Sequence, residues 1–136
     1  MDFNLSEDQQ AFQNIAKEFA KKELAPNAAE WDAKSEFPVE VIKKAGDLGF
    51  CSLYVAEEDG GMGLGRLDAS IIIEQLSTGC TSTTAFLTIH NMALWMISEF
   101  GSDDLKKQWC PSLCSGKKLV SYCLTEPGAG SDAASL

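Results

Sequence analysis

At 136 residues, with 11 Lys and Arg against 20 Asp and Glu, the chain has a net charge of −9 and the size of one ordinary domain that can bury a real core. That acidic balance, with no basic cluster beyond short pairs such as Lys21-Lys22, Lys43-Lys44 and Lys117-Lys118, argues against a nucleic-acid surface. Five cysteines placed singly, an odd number, indicate reduced thiols rather than a disulfide scaffold, and no apolar run reaches membrane-spanning length.

Ser6 with Gln9 three residues on reads as a capping box. Phe12, Ile15, Ala16, Phe19 and Ala20 then recur at helical spacing toward Pro26, which predicts a first amphipathic helix. A short helical piece over residues 28–34 is expected to carry Trp31 inward. Pro38 stands where a first helical residue would, ahead of Val41, Ile42, Ala45 and Leu48, and Gly49 is a natural terminator. Residues 50–55 look extended. Residues 57–65 form an acidic, glycine-rich loop in which Gly61, Gly63 and Gly65 lack the spacing and βαβ context of a dinucleotide fingerprint.

A helix over residues 67–76 follows. Residues 81–100 are the longest helical candidate, with Ala85, Ile89, Met92, Trp95 and Met96 on one side and Leu87, Leu94 and Ile97 nearly closing the other, so burial on most sides is expected. Gly101 stops it, Ser102 can cap a further helix through Leu113, and Ser115-Gly116 releases the chain toward Val120. Cys110 and Cys114 can share a helix face, but zinc needs further ligands and the single histidine, His90, lies elsewhere, so no metal site is expected. The pattern predicts an all-α fold of about six helices with the start of a β-strand at residues 120–124, whose backbone groups need partners.

The densest chemistry lies in residues 122–132, Tyr-Cys-Leu-Thr-Glu-Pro-Gly-Ala-Gly-Ser-Asp. Ser121 to Leu124 can run extended, and Pro127 fixes its own φ and biases Glu126 away from helix. Gly128 and Gly130 permit tight turns and close backbone approach, while the Ser131 hydroxyl can meet a phosphate or carbonyl oxygen beside exposed N–H groups. These residues fit either a ligand loop or an ordinary strand-to-loop exit.

This run resembles the signature of the acyl-CoA dehydrogenase flavoproteins, and the likeness extends from Leu5-Ser6-Glu7-Asp8-Gln9 through Leu48-Gly49-Phe50 and Gly60-Gly61-Met62-Gly63-Leu64. Within the family, Thr78 to Ala85 with Ile89-His90-Asn91-Met92 looks most like the branch acting on isobutyryl-CoA and other short branched acyl groups. The resemblance implies an orthogonal helical bundle over residues 1–118, the family's N-terminal helical domain. It implies the beginning of the middle β-domain over residues 119–136. It further implies FAD as cofactor, oxidation of an acyl-CoA to the 2,3-enoyl-CoA in fatty-acid or valine catabolism, electron-transferring flavoprotein as acceptor and a homotetramer when complete. The expected compartment is the mitochondrial matrix or bacterial cytoplasm, since Met1-Asp2-Phe3-Asn4 opens without signal-peptide regions.

Carried onto matching positions, the resemblance implies flavin contact by Tyr122 and Leu124 through backbone and by the Thr125 hydroxyl. It implies an approach of Gly130 and Ser131 to the FAD phosphates and the CoA portion, and an acyl pocket lined by Phe86, Thr88, Ile89 and Met92. Core packing is the alternative for Tyr122, Leu124 and the helical stripe, and a self-bonded turn hydroxyl for Thr125 and Ser131. His90, alone on an apolar helix, reads as a packing residue. Glu57-Glu58 reads as a solvated loop and Asp103-Asp104 as a helix N-terminus. No catalytic residue is assigned, because the family's glutamate base belongs to its C-terminal domain, and the chain by itself is expected to be inert. The competing hypothesis is a complete, non-catalytic helical module that binds a protein partner through an apolar face.

Overall fold

The computed structural model describes residues 4–136; Met1, Asp2 and Phe3, part of the opening read for a signal peptide, lie outside the described residues. Helix α1 (Glu7–Phe19) starts as expected: the Ser6 hydroxyl accepts the Gln9 N–H at 3.1 Å and the Gln9 side chain accepts the Ser6 N–H at 3.0 Å. It widens into a single π turn, Ala20–Leu24, that buries Ala20 and Leu24. Helix α2 (Ala28–Lys34) leaves Trp31 half-buried against the core.

Helix α3 (Val39–Asp47) begins one residue later than the proline suggested. Pro38 is its N-cap, with the Pro38 carbonyl accepting from Val41 and Ile42 N–H. Gly49 closes it at φ 79°, and its N–H donates to Gly46 while the Phe50 N–H donates to Ala45, the paired bonds of a Schellman end. Gly46 permits a second close approach: a Cβ there would lie 2.4 Å from the Ser115 carbonyl oxygen.

Residues 50–55 are not the extended segment the sequence suggested but a series of tight turns. A strand needs a ladder, and the glycine-rich loop takes these backbone groups instead by folding back. Met62 N–H donates to Ser52, Gly63 N–H to Val55 and Leu64 N–H to Leu53, at 2.8–2.9 Å. Helix α4 (Arg66–Ser77) follows, then α5 (Thr81–Phe100) and α6 (Asp103–Cys114), whose N-cap Ser102 accepts from Leu105 N–H at 3.4 Å. Among the described residues there is no strand. Residues 119–125 form neither helix nor ladder, and the Glu126–Ala129 pair is an isolated bridge.

Helix α1 packs on α4, α4 on α5 and α5 on α6. The larger core cluster gathers Phe19, Leu24, Ile42, Phe50, Leu53, Ile72, Leu76 and Leu87, with the Phe19 and Phe50 rings edge to face at 5.6 Å. A smaller one joins Val55, Leu94, Cys110 and Leu113 between α5 and α6. Each such Leu or Ile contributes about 1.5–3 kcal/mol by leaving water. The described residues thus form an all-α bundle of six α-helices, in line with the about six that the hydrophobic periodicity indicated.

Helix α5 is covered on fewer sides than its composition suggested. Its buried face carries Thr83, Thr84, Leu87, His90, Asn91, Leu94 and Ser98. The more apolar side turns outward: Ala85 and Met96 are exposed, and Ile89 and Met92 are half-buried. Polar side chains can occupy the buried face because each is satisfied there, and among the described residues no buried side-chain polar atom lacks a partner.

Candidate functional site

The outward face of α5 continues into an apolar groove of about 630 Å³. Ala93, Met96 and Ile97 form one wall, Leu105, Trp109 and Leu113 of α6 a second, and residues 119–123 the third. Met96 stands one helical turn from Met92 and two from Ile89, so stripe and groove are one surface. Phe100, 74% exposed, and Leu105, 47% exposed, form the rim.

The segment that closes the groove is held by backbone contacts up to Val120 and by none for several residues beyond. The Lys118 N–H donates to the Ser112 carbonyl at 2.9 Å, and the Lys118 ammonium lies 4.6 Å from the Trp109 ring centroid. The Val120 N–H donates to His90 Nδ1 at 3.2 Å. Among the described residues, no hydrogen bond within the chain engages residues 121–125. The chain then turns at Pro127-Gly128, with Glu126 and Ala129 exchanging backbone bonds of 2.9 and 3.2 Å.

Of the expected flavin contacts, Tyr122 lines the groove and is half-buried, while Leu124, Thr125, Gly130 and Ser131 are exposed beyond it. Neither the Thr125 nor the Ser131 hydroxyl is bonded to its own backbone, the turn arrangement weighed for them above. Gly128 and Gly130 both lie outside the left-handed region, and a Cβ at either would meet nothing within 4 Å. Internal packing therefore does not call for glycine at these two positions. The donor set fits a flavin nucleotide: unpaired backbone N–H and C=O groups, two open hydroxyls and two bare glycines beside an apolar slot.

Of the expected acyl-pocket residues, the structure brings Thr88, Ile89 and Met92 to the outward side of α5. Phe86 lies apart from them, stacked edge-on against Phe37 at 4.8 Å and tilted against the His90 ring at 5.9 Å. His90 is fully buried, and burial lowers its pKa below the ordinary histidine range, against the Leu113 carbonyl contact, which acts to raise it.

Two contacts escaped sequence reasoning. Asn91 is a buried hub: its Oδ1 accepts the Leu53 N–H at 2.7 Å and its Nδ2 donates to Phe50 at 2.8 Å and Leu87 at 2.9 Å. The Ser98 hydroxyl donates to Asp59 Oδ2 at 2.6 Å, with Lys106 Nζ 3.6 Å from the same oxygen, which latches the acidic loop to α5 and α6. The only local signal for either was an unneeded polar residue in an apolar helix.

Residues 6–117 match the family pattern described as Acyl-CoA dehydrogenase, N-terminal domain. The chain is 58% identical over 132 residues, 97% of its own length, to the mitochondrial isobutyryl-CoA dehydrogenase of Bos taurus. It spans 32% of that relative's length, about a third. Among solved structures it superposes on glutaryl-coenzyme A dehydrogenase in its glutaryl-CoA complex with a TM-score of 0.92 and 36% identity, covering 100% of this chain and 35% of that one. It superposes equally, with a TM-score of 0.92 and 34% identity, on the FAD complex of PigA, covering 100% of this chain and 36% of that one. No helix of the described residues is long and apolar enough to cross a membrane. Helical order, glycine-capped turns and the exposed segment after α6 thus agree with the sequence match, and the chain belongs to the acyl-CoA dehydrogenase family, whose N-terminal domain it carries.

Proposed function

We propose that this chain is the N-terminal part of an FAD-dependent acyl-CoA dehydrogenase that oxidises a short branched-chain acyl-CoA of the isobutyryl type. The observation that carries the reading is the run of unpaired backbone at residues 121–125 beside an apolar groove that continues into the outward stripe of α5. FAD, when bound, supplies acceptance of a hydride from the β-carbon of the acyl thioester. Tyr122 and Leu124 offer backbone groups, and Thr125 a hydroxyl, to the flavin edge. Gly130 and Ser131 leave room and a donor for phosphate oxygens of FAD or of CoA. Thr88, Ile89 and Met92 line the acyl end, where bulky side chains shorten the cavity and favour short, branched groups. Phe86 acts behind them, through His90.

The reading places the helical domain at residues 1–118 and the entry to the β-domain at 119–136. It implies a homotetramer, electron-transferring flavoprotein as acceptor and the mitochondrial matrix as compartment. No residue of this chain is assigned as the base that removes the α-proton.

The test is oxidation of isobutyryl-CoA, followed with an artificial electron acceptor, by the flavin-loaded protein expressed from its natural gene. Turnover that falls at least tenfold in Ser131→Ala with flavin retained supports the reading. A protein that purifies without flavin, does not take it up and leaves isobutyryl-CoA unoxidised refutes it. That result would favour a helical module whose outward α5 stripe binds a protein partner.

A further inference from the structure

We propose that His90 is a positioning residue, the last anchor that sets how residues 121–125 leave the helical body. The role built on this for FAD rests on the reading above. The imidazole is fully buried and ties together the two ends of the connector after α6: its Nε2 lies 3.0 Å from the Leu113 carbonyl oxygen and its Nδ1 3.2 Å from the Val120 nitrogen. A carbonyl can only accept and an amide N–H can only donate. The two bonds together therefore require the neutral ring with its proton on Nε2. A donor and an acceptor on opposite edges of one rigid, compact group is a combination that Asn, Gln, Ser and Thr do not offer.

The connector between these points is fixed elsewhere. The Gly116 N–H donates to Leu113, Gly116 sits at φ 67° against α3, and the Lys118 N–H donates to Ser112. Val120 is the final backbone group held before the unpaired run. Five residues of chain span at most about 17 Å when fully extended, and over that reach a tilt of about 5° at Val120 displaces Thr125 by about 1.5 Å. A misplacement of about 1 Å can slow a reaction that depends on the bound geometry by about two orders of magnitude. On the far side the ring abuts Phe86, itself packed on Phe37, so the anchor is braced against rotation by an aromatic pair.

Amide exchange and imidazole ¹⁵N spectra of the chain decide the matter. The expected native spectrum is that of the Nε2–H tautomer, with a Val120 amide protected at least tenfold. In His90→Phe, Val120 loses that protection while Leu87 and Leu94 in α5 keep theirs. His90→Asn, which returns an acceptor near the Nδ1 position, recovers protection at Val120. An Nδ1–H tautomer, an unprotected native Val120, or unchanged protection in His90→Phe each overturns the anchor. If His90→Phe fails to fold, the tautomer and the Asn variant still decide. Titration with FAD of the protein expressed from its natural gene, native and variant, separates the two readings. Affinity at least tenfold weaker in His90→Phe and recovered in His90→Asn supports the positioning role toward the flavin, and equal affinity in the native chain and both variants overturns that role alone. Absence of FAD binding by the native protein expressed from its natural gene counts against the flavin reading and leaves the anchor to the exchange data.

Discussion

Replacing Asn91 by Leu is expected to be among the most damaging single changes in this domain, and the size of the loss follows from its contacts. Asn91 is 1% exposed and serves three backbone groups. The Leu87 carbonyl can fall back on its helical bond, but the Leu53 N–H and the Phe50 carbonyl lie in buried turns outside any helix or ladder. Each orphaned group costs about 1–3 kcal/mol, so two cost about 2–6 kcal/mol. Set against the ~5–15 kcal/mol of a whole domain, that is a substantial share of the total. With a urea m-value of about 2 kcal/mol per M, a loss of 4 kcal/mol lowers the midpoint by about 2 M. Asn91→Asp should do no better at neutral pH: it keeps an acceptor for Leu53 but turns an anionic oxygen toward two carbonyls in the interior. The assay is urea unfolding followed by tryptophan fluorescence and circular dichroism. A midpoint shift under about 0.3 M for both variants would mean that Asn91 does not hold residues 50–53, and the account of the buried face of α5 would be wrong.

Stability should fall as pH drops below about 6.5. The unfolded imidazole of His90 takes up a proton there while the folded one, its pKa depressed by burial, does not, so the loss reaches up to ~1.4 kcal/mol per pH unit until the folded value is met. Thermal melts at pH 7.5 and 5.5 should show His90→Asn losing less than the native chain. Thiol reactivity should be graded: exposed Cys123 reacts first with a chromogenic disulfide, while Cys51, whose pKa burial raises to about 12, and Cys114, raised to about 11, react only on unfolding. Rapid labelling of Cys51 in the native protein would contradict its burial. Gly130→Ala should leave the melting temperature unchanged or raise stability by up to ~1 kcal/mol while weakening FAD retention. Gly46→Ala, whose new Cβ would sit 2.4 Å from the Ser115 oxygen, should lose about 1–3 kcal/mol, and equal melting temperatures for the two variants would remove the distinction.

The sequence by itself determined the elements that rest on local chemistry. The Ser6–Gln9 box, the Gly49 terminator, the Ser102 cap and the bounds of α5 are all short-range patterns, written within a few residues and found where they were read. The likeness of residues 122–132 to a flavoprotein signature was equally legible, because it lies in one contiguous run of residues. Tertiary structure alone decided which side of α5 is covered and what becomes of residues 50–55. Helical periodicity divides a helix into faces but does not say which face a neighbour will cover. Here the polar face won, because Asn91 satisfies backbone groups 38 and 41 residues away and His90 others 23 and 30 residues away. Those partners exist only after the turns around Phe50 and the connector after α6 have folded against α5, so no local window contains them. The same choice is the physical reason an apolar stripe is left on the outside of the domain.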